Sequence, residues 1–508
     1  MTDRRIRQVV ILGGGTAGWM AAAALSKAAK RQFRISLIES DEIGTIGVGE
    51  ATIPTIHWFN QLVGLDEARF VRETQATYKL GIEFVGWAKP GHRYFHPFGR
   101  YGAPPDGPMF LHHLIRARLG GLADRFEDYS LATQAALAGR FAKPTDDPRN
   151  WLSTLGYAYH FDAALYARHL RELAESRGVA RREGKVARVE QDGETGFVTA
   201  LVTDRGERIE GDLFLDCSGM RALLIGDTLG SPFEDWSHWL PCDRALAVPS
   251  ERVAPPTPFT RATADEAGWR WRIPLRHRTG NGYVYSSAFI GDDAAAAALL
   301  AGLDGRPLAD PRPIRFRTGR RREAWRKNVV AVGLSSGFLE PLESTSIHLI
   351  QSAIAKLLSL FPTRDCEPLV AEQFNRVLGD DYEAVRDFLV LHYHATADRT
   401  QPLWEHCRHM MLPDTLVYKE EQFRRTGRIV LGTDELFREA SWFAVLMGQG
   451  IAPRDYNPLM DAVPAGAALA HLAQVKQAIR AAAERMPSHE AALRDQIAAE
   501  PAPARAVA

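Results

Sequence analysis

A glycine-rich segment near the N-terminus, residues 11–20, constrains the fold more than any other part of the sequence. Gly13, Gly15 and Gly18 fit G-x-G-x-x-G between an apolar stretch at residues 9–12 and an alanine-rich helical pattern. Glycine permits the tight turn, lets the backbone approach a pyrophosphate and allows close helix–strand packing. A second apolar stretch ends in Glu39, where a carboxylate that bonds a ribose hydroxyl is expected. The sequence therefore predicts a ligand with an ADP moiety rather than a plain glycine-rich turn.

Composition limits the other possibilities. The 508 residues are enough for two or more lobes with a large core. With 62 basic and 62 acidic residues the net charge is zero, and no long basic run favours nucleic acid or an anionic membrane as partner. We find no apolar signal segment or bilayer-spanning window. The four cysteines are scattered without C-x-x-C spacing, which indicates reduced thiols in a cytoplasmic protein and no metal site.

Two segments after the nucleotide motif have more than one interpretation. Residues 46–54 contain glycines and Pro54, and predict a loop that either lies against a flat ring or is a plain connector. Lys79 starts an alternating, strand-like stretch. A lysine there is an ordinary edge charge unless apolar neighbours desolvate it and shift its acidity. Residues 86–108, rich in glycine, proline and aromatic residues, are a candidate binding wall.

Later strands extend the nucleotide fold. Strand patterns ending at Asp216 and at Gly333 are marks of FAD-binding proteins rather than of plain NAD dehydrogenases. The sequence thus predicts an α/β, FAD-binding Rossmann-type (GR2-like) fold with inserted β-rich segments and a mostly helical C-terminal lobe. We assign residues 1–362 to the core, with insertions at 50–150 and 220–326. Residues 363–485 are predicted to be a helical lobe covering the substrate, and residues 486–508 a flexible tail.

Four segments are similar to those of the flavin-dependent halogenases of the tryptophan-halogenase type. They are residues 13–20 (GGGTAGWM), 47–54 (GVGEATIP), 269–274 (WRWRIP) and 340–347 (EPLESTSI). The third fits W-x-W-x-I-P, the hallmark of that family. The resemblance runs from about residue 6 to residue 446. It implies FADH2-dependent chlorination or bromination of an electron-rich aromatic by hypohalous acid, which is made from halide at the flavin.

The resemblance also implies roles for individual residues. Lys79 is expected at the far end of a tunnel, where it either hydrogen-bonds the hypohalous acid or forms a haloamine. Glu343 is expected to pair with Lys79 and to stabilise the cationic arene before its deprotonation. Contacts with FAD are assigned to Gly13, Gly14, Gly15, Thr16, Ala17, Gly18, Trp19, Glu39, Val48, Ala51, Val186, Gly333, Leu334 and Ile347.

Halide and substrate are expected at two further sets of residues. Ser344, Thr345 and Ser346 precede a predicted helix, whose free N–H groups suit a halide ion; ordinary helix capping is the alternative. The family usually has glycine at the position of Ser346. The substrate and tunnel residues are His96, Phe98, Trp269, Trp271, Ile273, Pro274 and Trp442. The alternating tryptophans also fit one face of a buried strand.

The sequence further limits the substrate and the partner. No second G-x-G-x-x-G follows a predicted strand, so the protein either receives reduced flavin or uses its substrate as the reductant. The resemblance implies the former, with FADH2 supplied by a separate flavin reductase that binds transiently. Residues 437–443 replace the tyrosine-rich segment of the tryptophan-specific members, which favours an indole or similar small aromatic over free tryptophan. A flavin-dependent aromatic monooxygenase is the alternative, and a non-catalytic flavin-binding sensor a more distant one. The resemblance suggests a homodimer.

Overall fold

The computed structural model describes residues 4–42, 49–102 and 107–499. The strands are β1 (Gln8–Leu12), β2 (Arg34–Glu39), β3 (Gly49–Ala51), β4 (Thr77–Lys79), β5 (Gly81–Val85), β6 (Arg93–Pro97), β7 (Ala158–Asp162), β8 (Ala180–Glu183), β9 (Val186–Gln191), β10 (Val198–Thr203), β11 (Arg208–Glu210), β12 (Leu213–Asp216), β13 (Phe233–Asp235), β14 (Arg244–Ser250), β15 (Thr260–Asp265), β16 (Gly268–Pro274), β17 (Thr279–Tyr285), β18 (Arg312–Arg315), β19 (Gly319–Arg321), β20 (Trp325–Arg326), β21 (Val329–Ala331) and β22 (Gly337–Phe338).

The α-helices are α1 (Thr16–Ala29), α2 (Ile56–Val63), α3 (Glu67–Glu73), α4 (Gly107–Leu119), α5 (Leu131–Leu137), α6 (Ala163–Ser176), α7 (Asp292–Ala301), α8 (Ser346–Ser359), α9 (Pro368–His394), α10 (Pro402–His409), α11 (Asp414–Thr426), α12 (Glu439–Gly448), α13 (Ala465–Arg485) and α14 (His489–Ala498). Short 3₁₀ turns include Gly333–Ser335 and Pro341–Glu343. None of the helices in the described ranges is long and apolar enough to cross a membrane.

The nucleotide fold is a six-stranded sheet in the order β20-β21-β12-β1-β2-β8. All its pairings are parallel except the edge pair β20–β21. Its inner strands are continuous apolar runs because both faces of the sheet are covered. Helix α1 packs on β1 and β2, and on the other face Val10 and Phe214 share a buried cluster with Leu201 of β10. The predicted strands before Gly13, Glu39, Asp216 and Gly333 are therefore present, and the Rossmann-type prediction is confirmed. The predicted meander is the three-stranded sheet β11-β10-β9.

A seven-stranded sheet, in the order β18-β14-β17-β16-β15-β5-β6, joins the two predicted insertions. Strands β5 and β6 come from the first insertion and β14–β18 from the second, and the junction is the parallel pairing of β15 with β5. A further three-stranded sheet, β3-β7-β4, lies against the seven-stranded sheet. A Cβ at Gly49 of β3 would lie 3.5 Å from the Ile273 side chain and 3.3 Å from that of Leu275. The first insertion also contributes four helices, α2 to α5. The two inserted segments are thus one structural unit, which sequence spacing did not show.

The C-terminal region is helical, as predicted for residues 363–485, but the flexible tail was wrongly predicted for residues 486–499. There α14 begins after Ser488, whose hydroxyl accepts a capping hydrogen bond from the Ala491 N–H. His489 and Leu493 of this helix are buried. Alanine-rich composition suggested solvent exposure, whereas the apolar face of α14 packs on α3 and β4. Residues 500–508 lie outside the described ranges.

One group in the described part of the chain has the residue types of a metal site, for which the sequence gave no indication. Glu73, His169 and Glu172 bring their ligand atoms close together on α3 and α6. The Arg69 guanidinium lies 2.7 Å from Glu73 and 3.7 Å from Glu172. An arginine therefore already supplies positive charge to these carboxylates.

Candidate active site

The turn between β1 and α1 contains glycines with different surroundings. Gly13 has φ +110°, and a Cβ there would lie 2.2 Å from the Cys217 carbonyl oxygen. A Cβ at Gly18 would lie 1.8 Å from the Gly13 carbonyl oxygen. Both positions therefore require glycine for close packing. At Gly15 a Cβ would meet no described atom within 4 Å, at a helix start without a side-chain cap. This open helix start fits a pyrophosphate, as FAD requires.

Glu39 lies at the end of β2, beside the glycine turn. A Cβ at Gly14 would overlap its carboxylate, because Oε2 would be 1.4 Å away. The carboxylate accepts a hydrogen bond from Nε1 of Trp19 at 3.3 Å and forms ion pairs with Arg171 and Arg181. Gly14, Trp19 and Glu39 therefore meet at the predicted nucleotide position. Their contact with the cofactor stays a prediction.

Residues distant in sequence lie against the α1 turn, on the second side of the predicted flavin position. Gly333, with φ +77°, lies against α1, so that a Cβ there would be 2.8 Å from the Ala17 Cβ and 3.4 Å from Ile350. Leu334 follows in the same 3₁₀ turn, and Ile347 is buried in the first turn of α8. The structure thus brings the Gly333 turn and the α1 turn together, as the flavin prediction requires.

The other predicted cofactor residues have separate places. Thr16 is the first residue of α1. Val186 begins β9 and packs against a buried cluster that includes Leu12. Ala51 is buried on β3, opposite His160 of β7. Val48 lies outside the described residues.

Lys79 is fully buried at the end of β4. Its Nζ donates hydrogen bonds to the Thr52 carbonyl oxygen at 3.0 Å and to Oγ of Ser344 at 2.8 Å. The same Nζ lies 5.0 Å from the centroid of the Phe98 ring. Burial lowers the pKa of Lys79 to about 7, although the charge of Glu343 raises it. Of the two interpretations that the sequence allowed, Lys79 is therefore the desolvated lysine and not an ordinary edge charge. It can change its protonation state near neutral pH.

Glu343 does not pair directly with Lys79, which corrects the predicted contact. Within the described residues, its buried carboxylate lies between two histidines: His96 Nδ1 is 2.9 Å and 3.1 Å from its two oxygens, and His392 Nε2 is 2.9 Å from Oε1. Burial raises the pKa of Glu343, but the two imidazoles outweigh this effect and lower it to about 2. The lysine instead binds the adjacent Ser344, since the 3₁₀ turn at residues 341–343 points the carboxylate towards the histidines.

The predicted halide residues lie directly at the start of α8. Ser344 has φ +60°, and Thr345 precedes the helix without forming a side-chain cap. The first helical hydrogen bond joins the Leu349 N–H to the Thr345 carbonyl oxygen, so the preceding N–H groups, including that of Ser346, have no helical acceptor. The buried Thr345 hydroxyl has no hydrogen-bond partner among the described residues. Ordinary capping is therefore not what these residues do, and the arrangement fits an anion.

The W-x-W-x-I-P segment is strand β16, with Trp269, Trp271 and Ile273 buried. The indole N–H of Trp269 donates to Oε1 of Glu340 at 3.2 Å. Burial raises the pKa of Glu340 to about 7, despite hydrogen bonds from Tyr393 and Trp269. The interpretation of the tryptophans as one face of a buried strand is confirmed, and their lining of a tunnel stays a prediction.

Pro274 and its strand also hold the lysine strand in place. The Thr77 hydroxyl donates to the Pro274 carbonyl oxygen at 2.7 Å and is 2.9 Å from Nδ1 of His160. Thr77 is two residues before Lys79 on β4. The hallmark segment is therefore connected to the strand that carries Lys79 by the hydrogen bond of the Thr77 hydroxyl.

Aromatic rings form the wall on the His96 side. The centroid of the buried His96 ring lies 6.2 Å from that of Phe98, 5.7 Å from Phe388 and 6.1 Å from Phe437. Phe388 stacks on Phe437 at 3.9 Å, and Trp442 packs edge-on against Phe388 at 5.0 Å. Trp442 therefore belongs to the same aromatic wall, in contact with Phe388.

Sequence reasoning missed three residues of this site. Thr52 contacts Lys79, and His392 contacts Glu343. The ring of Phe388 lies between those of His96 and Trp442 and contacts both. Phe388 and His392 are one turn apart on α9, within a long apolar stretch. A histidine in such a stretch is usually interpreted as a core residue. Thr52 uses only its backbone oxygen, so its side chain carried no signal.

These observations define a class of protein: an α/β protein with an FAD-type Rossmann fold and a buried lysine beside an uncapped helix start. The family model described as tryptophan halogenase matches residues 8–465. The tryptophan 6-halogenase ThaL of Streptomyces albogriseolus is 36% identical over 524 aligned positions, which cover 96% of this chain and 98% of that protein. The chain therefore belongs to the tryptophan halogenase family, and it is a flavin-dependent halogenase, as the sequence predicts.

Solved structures agree with this assignment. The flavin-dependent halogenase Xcc4156 from Xanthomonas campestris has a TM-score of 0.94 and 49% identity, and the match covers 98% of this chain and all of that chain. BrvH, a flavin-dependent halogenase from Brevundimonas sp. BAL3, has a TM-score of 0.93 and 46% identity, with 97% of this chain and all of that chain covered. The similarity spans both lobes, so the predicted fold class is confirmed over nearly the whole chain.

Proposed function

We propose that this enzyme halogenates an electron-rich aromatic, an indole rather than free tryptophan, with hypohalous acid held at Lys79. The observation that carries this proposal is the buried Nζ of Lys79, 2.8 Å from Ser344 at the uncapped start of α8. Oxidant and halide sites are thereby neighbours. FADH2 bound between the α1 turn and Gly333 would supply, with oxygen, the oxidising equivalents for the reaction.

Each remaining step is assigned to residues of the chain. The free N–H groups at the start of α8 and the Thr345 hydroxyl bind halide. Nζ of Lys79 donates a hydrogen bond to the oxygen of hypohalous acid and orients its halogen towards the substrate. Buried Trp269 and Trp271 exclude water from the passage between the flavin and Lys79, and water exclusion protects a reactive oxidant from loss.

The aromatic wall supports indole as the substrate. Phe388, Phe437 and Trp442 pack on one another by their rings. A flat apolar ring is complementary to such a wall, whereas the ammonium and carboxylate of an amino acid require partners. Residues 437–443 contain no tyrosine, unlike the corresponding segment that the family resemblance led us to expect in tryptophan-specific members.

A separate reductase is proposed as the source of FADH2. The glycines of residues 448–450 are not a second nucleotide turn, because α12 ends at Gly448 and no strand leads into them. Within the described residues, the only glycine turn of this type joins β1 to α1. The reduced cofactor would therefore arrive from a partner protein that contacts the enzyme transiently.

The test is a coupled assay with FAD, a generic flavin reductase, NADH, oxygen and either bromide or chloride, with indole or free tryptophan as substrate. We expect halogenated indole, recognised by its isotope pattern, and little halogenated tryptophan. Lys79→Ala should reduce the rate at least 100-fold, while Lys89→Ala, an exposed lysine ten residues away, should retain it.

Other outcomes would reject parts of the proposal. Efficient turnover of tryptophan without indole would overturn the substrate assignment. Hydroxylated indole without halogen would indicate a monooxygenase. An unchanged rate in Lys79→Ala would remove the lysine from the mechanism. Binding of FAD by each variant, measured by flavin fluorescence, shows that its fold is retained.

A further inference from the structure

We propose that Nε2 of His96 is the base that removes the proton from the halogenated ring carbon, and that Glu343 and His392 orient this imidazole. The inference rests on the proposed halogenation and assigns its last step. The sequence assigned His96 to the substrate wall and the catalytic carboxylate role to Glu343. Three observations lead to a different assignment: the tautomer of His96, the occupied oxygens of Glu343 and the surroundings of Nε2.

The tautomer of His96 follows from its contact with Glu343. Nδ1 lies 2.9 Å and 3.1 Å from the two carboxylate oxygens. An ionised carboxylate only accepts hydrogen bonds, so Nδ1 must carry a hydrogen. In the neutral imidazole Nε2 then has the free lone pair. This nitrogen is buried and has no hydrogen-bond partner in the described part of the chain. A carboxylate-oriented imidazole with an unused nitrogen is the arrangement of a general base.

Glu343 itself is poorly placed to accept the proton. His392 Nδ1 is 2.8 Å from the Phe388 carbonyl oxygen, which also only accepts, so this nitrogen donates. Nε2 of His392 faces Oε1 of Glu343 at 2.9 Å. Oε1 of Glu343 thus lies against nitrogens of both His96 and His392, and Oε2 lies against Nδ1 of His96, so neither carboxylate oxygen is free to face a substrate. The pKa of Glu343, lowered to about 2, agrees with a carboxylate that stays ionised and is a weak base.

The surroundings of His96 place the oxidant and the base at one aromatic site. Nζ of Lys79 lies 5.0 Å from the centroid of Phe98, and the His96 ring lies 6.2 Å from the same ring. Phe388 and Phe437 complete the apolar surroundings. A substrate ring against this wall is therefore within reach of the group that holds the oxidant and of the free Nε2.

The step balances without a further reagent. A ring carbon supplies an electron pair to the halogen of hypohalous acid, the carbon–halogen bond forms, and the oxygen–halogen bond breaks to give hydroxide, which becomes water with a proton from Lys79. The C–H electron pair then returns to the ring, and the proton passes to Nε2 of His96. His96 later releases this proton, which restores the protonation of Lys79. The net reaction is HOX + ArH → ArX + H2O.

The decisive variant is His96→Asn. The asparagine amide can occupy the place of Nδ1 and keep the hydrogen bond to Glu343, but it has no counterpart of Nε2. The rates of halogenation of indole and of indole deuterated at its ring carbons are measured separately. For the wild type we expect equal rates. For His96→Asn we expect a loss of about 100-fold and an isotope effect above about 2, because deprotonation becomes rate-limiting.

The controls separate this role from a structural one. His394→Asn, on the same helix as His392 and near Glu420, should behave like the wild type. A His96→Asn enzyme that keeps the wild-type rate, or loses rate without an isotope effect, overturns the proposal. If His96→Asn does not fold, His392→Asn is used, for which we expect a smaller loss of rate together with an isotope effect. A folded His392→Asn enzyme without an isotope effect would also contradict the proposal. Absence of indole halogenation by the wild type would instead reject the proposed function.

Discussion

At the scale of residues, the environment decides what each ionisable group of the site can do. Glu340 and Glu343 belong to the same turn, yet their pKa values are shifted in opposite directions from that of an ordinary glutamate. Burial beside the uncharged Trp269 raises the pKa of Glu340 to about 7. The two histidines lower the pKa of Glu343 to about 2. Lys79, also buried, has a pKa of about 7. A site whose ionisable groups have such different pKa values can hold and transfer protons near neutral pH.

The buried lysine has a measurable effect on stability. The pKa of Lys79 is about 7 in the native state, against 10.5 for an unperturbed lysine. Between these values the unfolded chain binds a proton that the native protein does not, so wild-type stability rises with pH. Below pH 7 both states hold the proton and the burial penalty is complete. Lys79→Met removes this contribution, so its stability relative to wild type should fall by on the order of 3 kcal/mol between pH 6 and pH 9.

The measurement is urea unfolding of wild type and Lys79→Met at several pH values. Because all other groups are common to both proteins, the difference isolates residue 79. Lys89→Met, at an exposed lysine, provides the matched control and should show no such pH dependence. A constant difference between Lys79→Met and wild type would contradict a lowered lysine pKa.

At the scale of elements, the lysine strand depends on the last described helix. His489 of α14 accepts the Tyr78 N–H through Nε2 at 3.1 Å and donates from Nδ1 to the Pro256 carbonyl oxygen at 2.8 Å. Both bonds require a neutral imidazole, and burial lowers the pKa of His489 to about 4. Tyr78 directly precedes Lys79, so α14 positions the strand that carries the reactive amine.

We expect His489→Ala to destabilise the protein by about 1–3 kcal/mol, because the buried Tyr78 N–H loses its acceptor. The rate of halogenation should fall several-fold, since Lys79 is displaced. Thermal unfolding and steady-state kinetics measure both effects. Glu490→Ala, at the neighbouring, partly exposed position that pairs with Arg252, should change stability by less than about 0.5 kcal/mol. Equal behaviour of the two variants would show that α14 does not support β4.

At the scale of the whole molecule, one hydrophobic core extends through both predicted lobes. The same buried cluster contains Val9 of the nucleotide sheet, Phe84 of the seven-stranded sheet, Phe388 of α9 and Leu472 of α13. Helix α9 also supplies His392 to the site. The predicted boundary after residue 362 therefore separates sequence patterns rather than independent folding units, since each side exposes apolar surface without the other.

A fragment of residues 1–362 is expected to aggregate or to be cleaved rapidly, because removal of α9 to α14 uncovers this core. Limited proteolysis and flavin fluorescence, compared with the full-length protein, test this expectation. A fragment that melts cooperatively and binds FAD would show instead that the first 362 residues form an autonomous domain.

The sequence alone determined the nucleotide fold, the helical C-terminal region and the family. Those features depend on local patterns: glycines at fixed spacing, strand periodicity, and short motifs such as residues 269–274. It also identified Lys79 and the residues at the start of α8, because each lies in a motif. The pairing of β5 with β15 could not be predicted, since strand pairing between residues 178 positions apart leaves no local pattern.

Only the tertiary structure decided the partner of each charged group. Sequence placed Glu343 with Lys79, but the turn at residues 341–343 directs its carboxylate to His96 and His392. It also placed α14 in solvent, whereas His489 is buried against β4. The physical reason is the same in both cases. Hydrogen-bond partners and burial depend on how distant segments pack, and a side chain's protonation follows from those surroundings rather than from its neighbours in the chain.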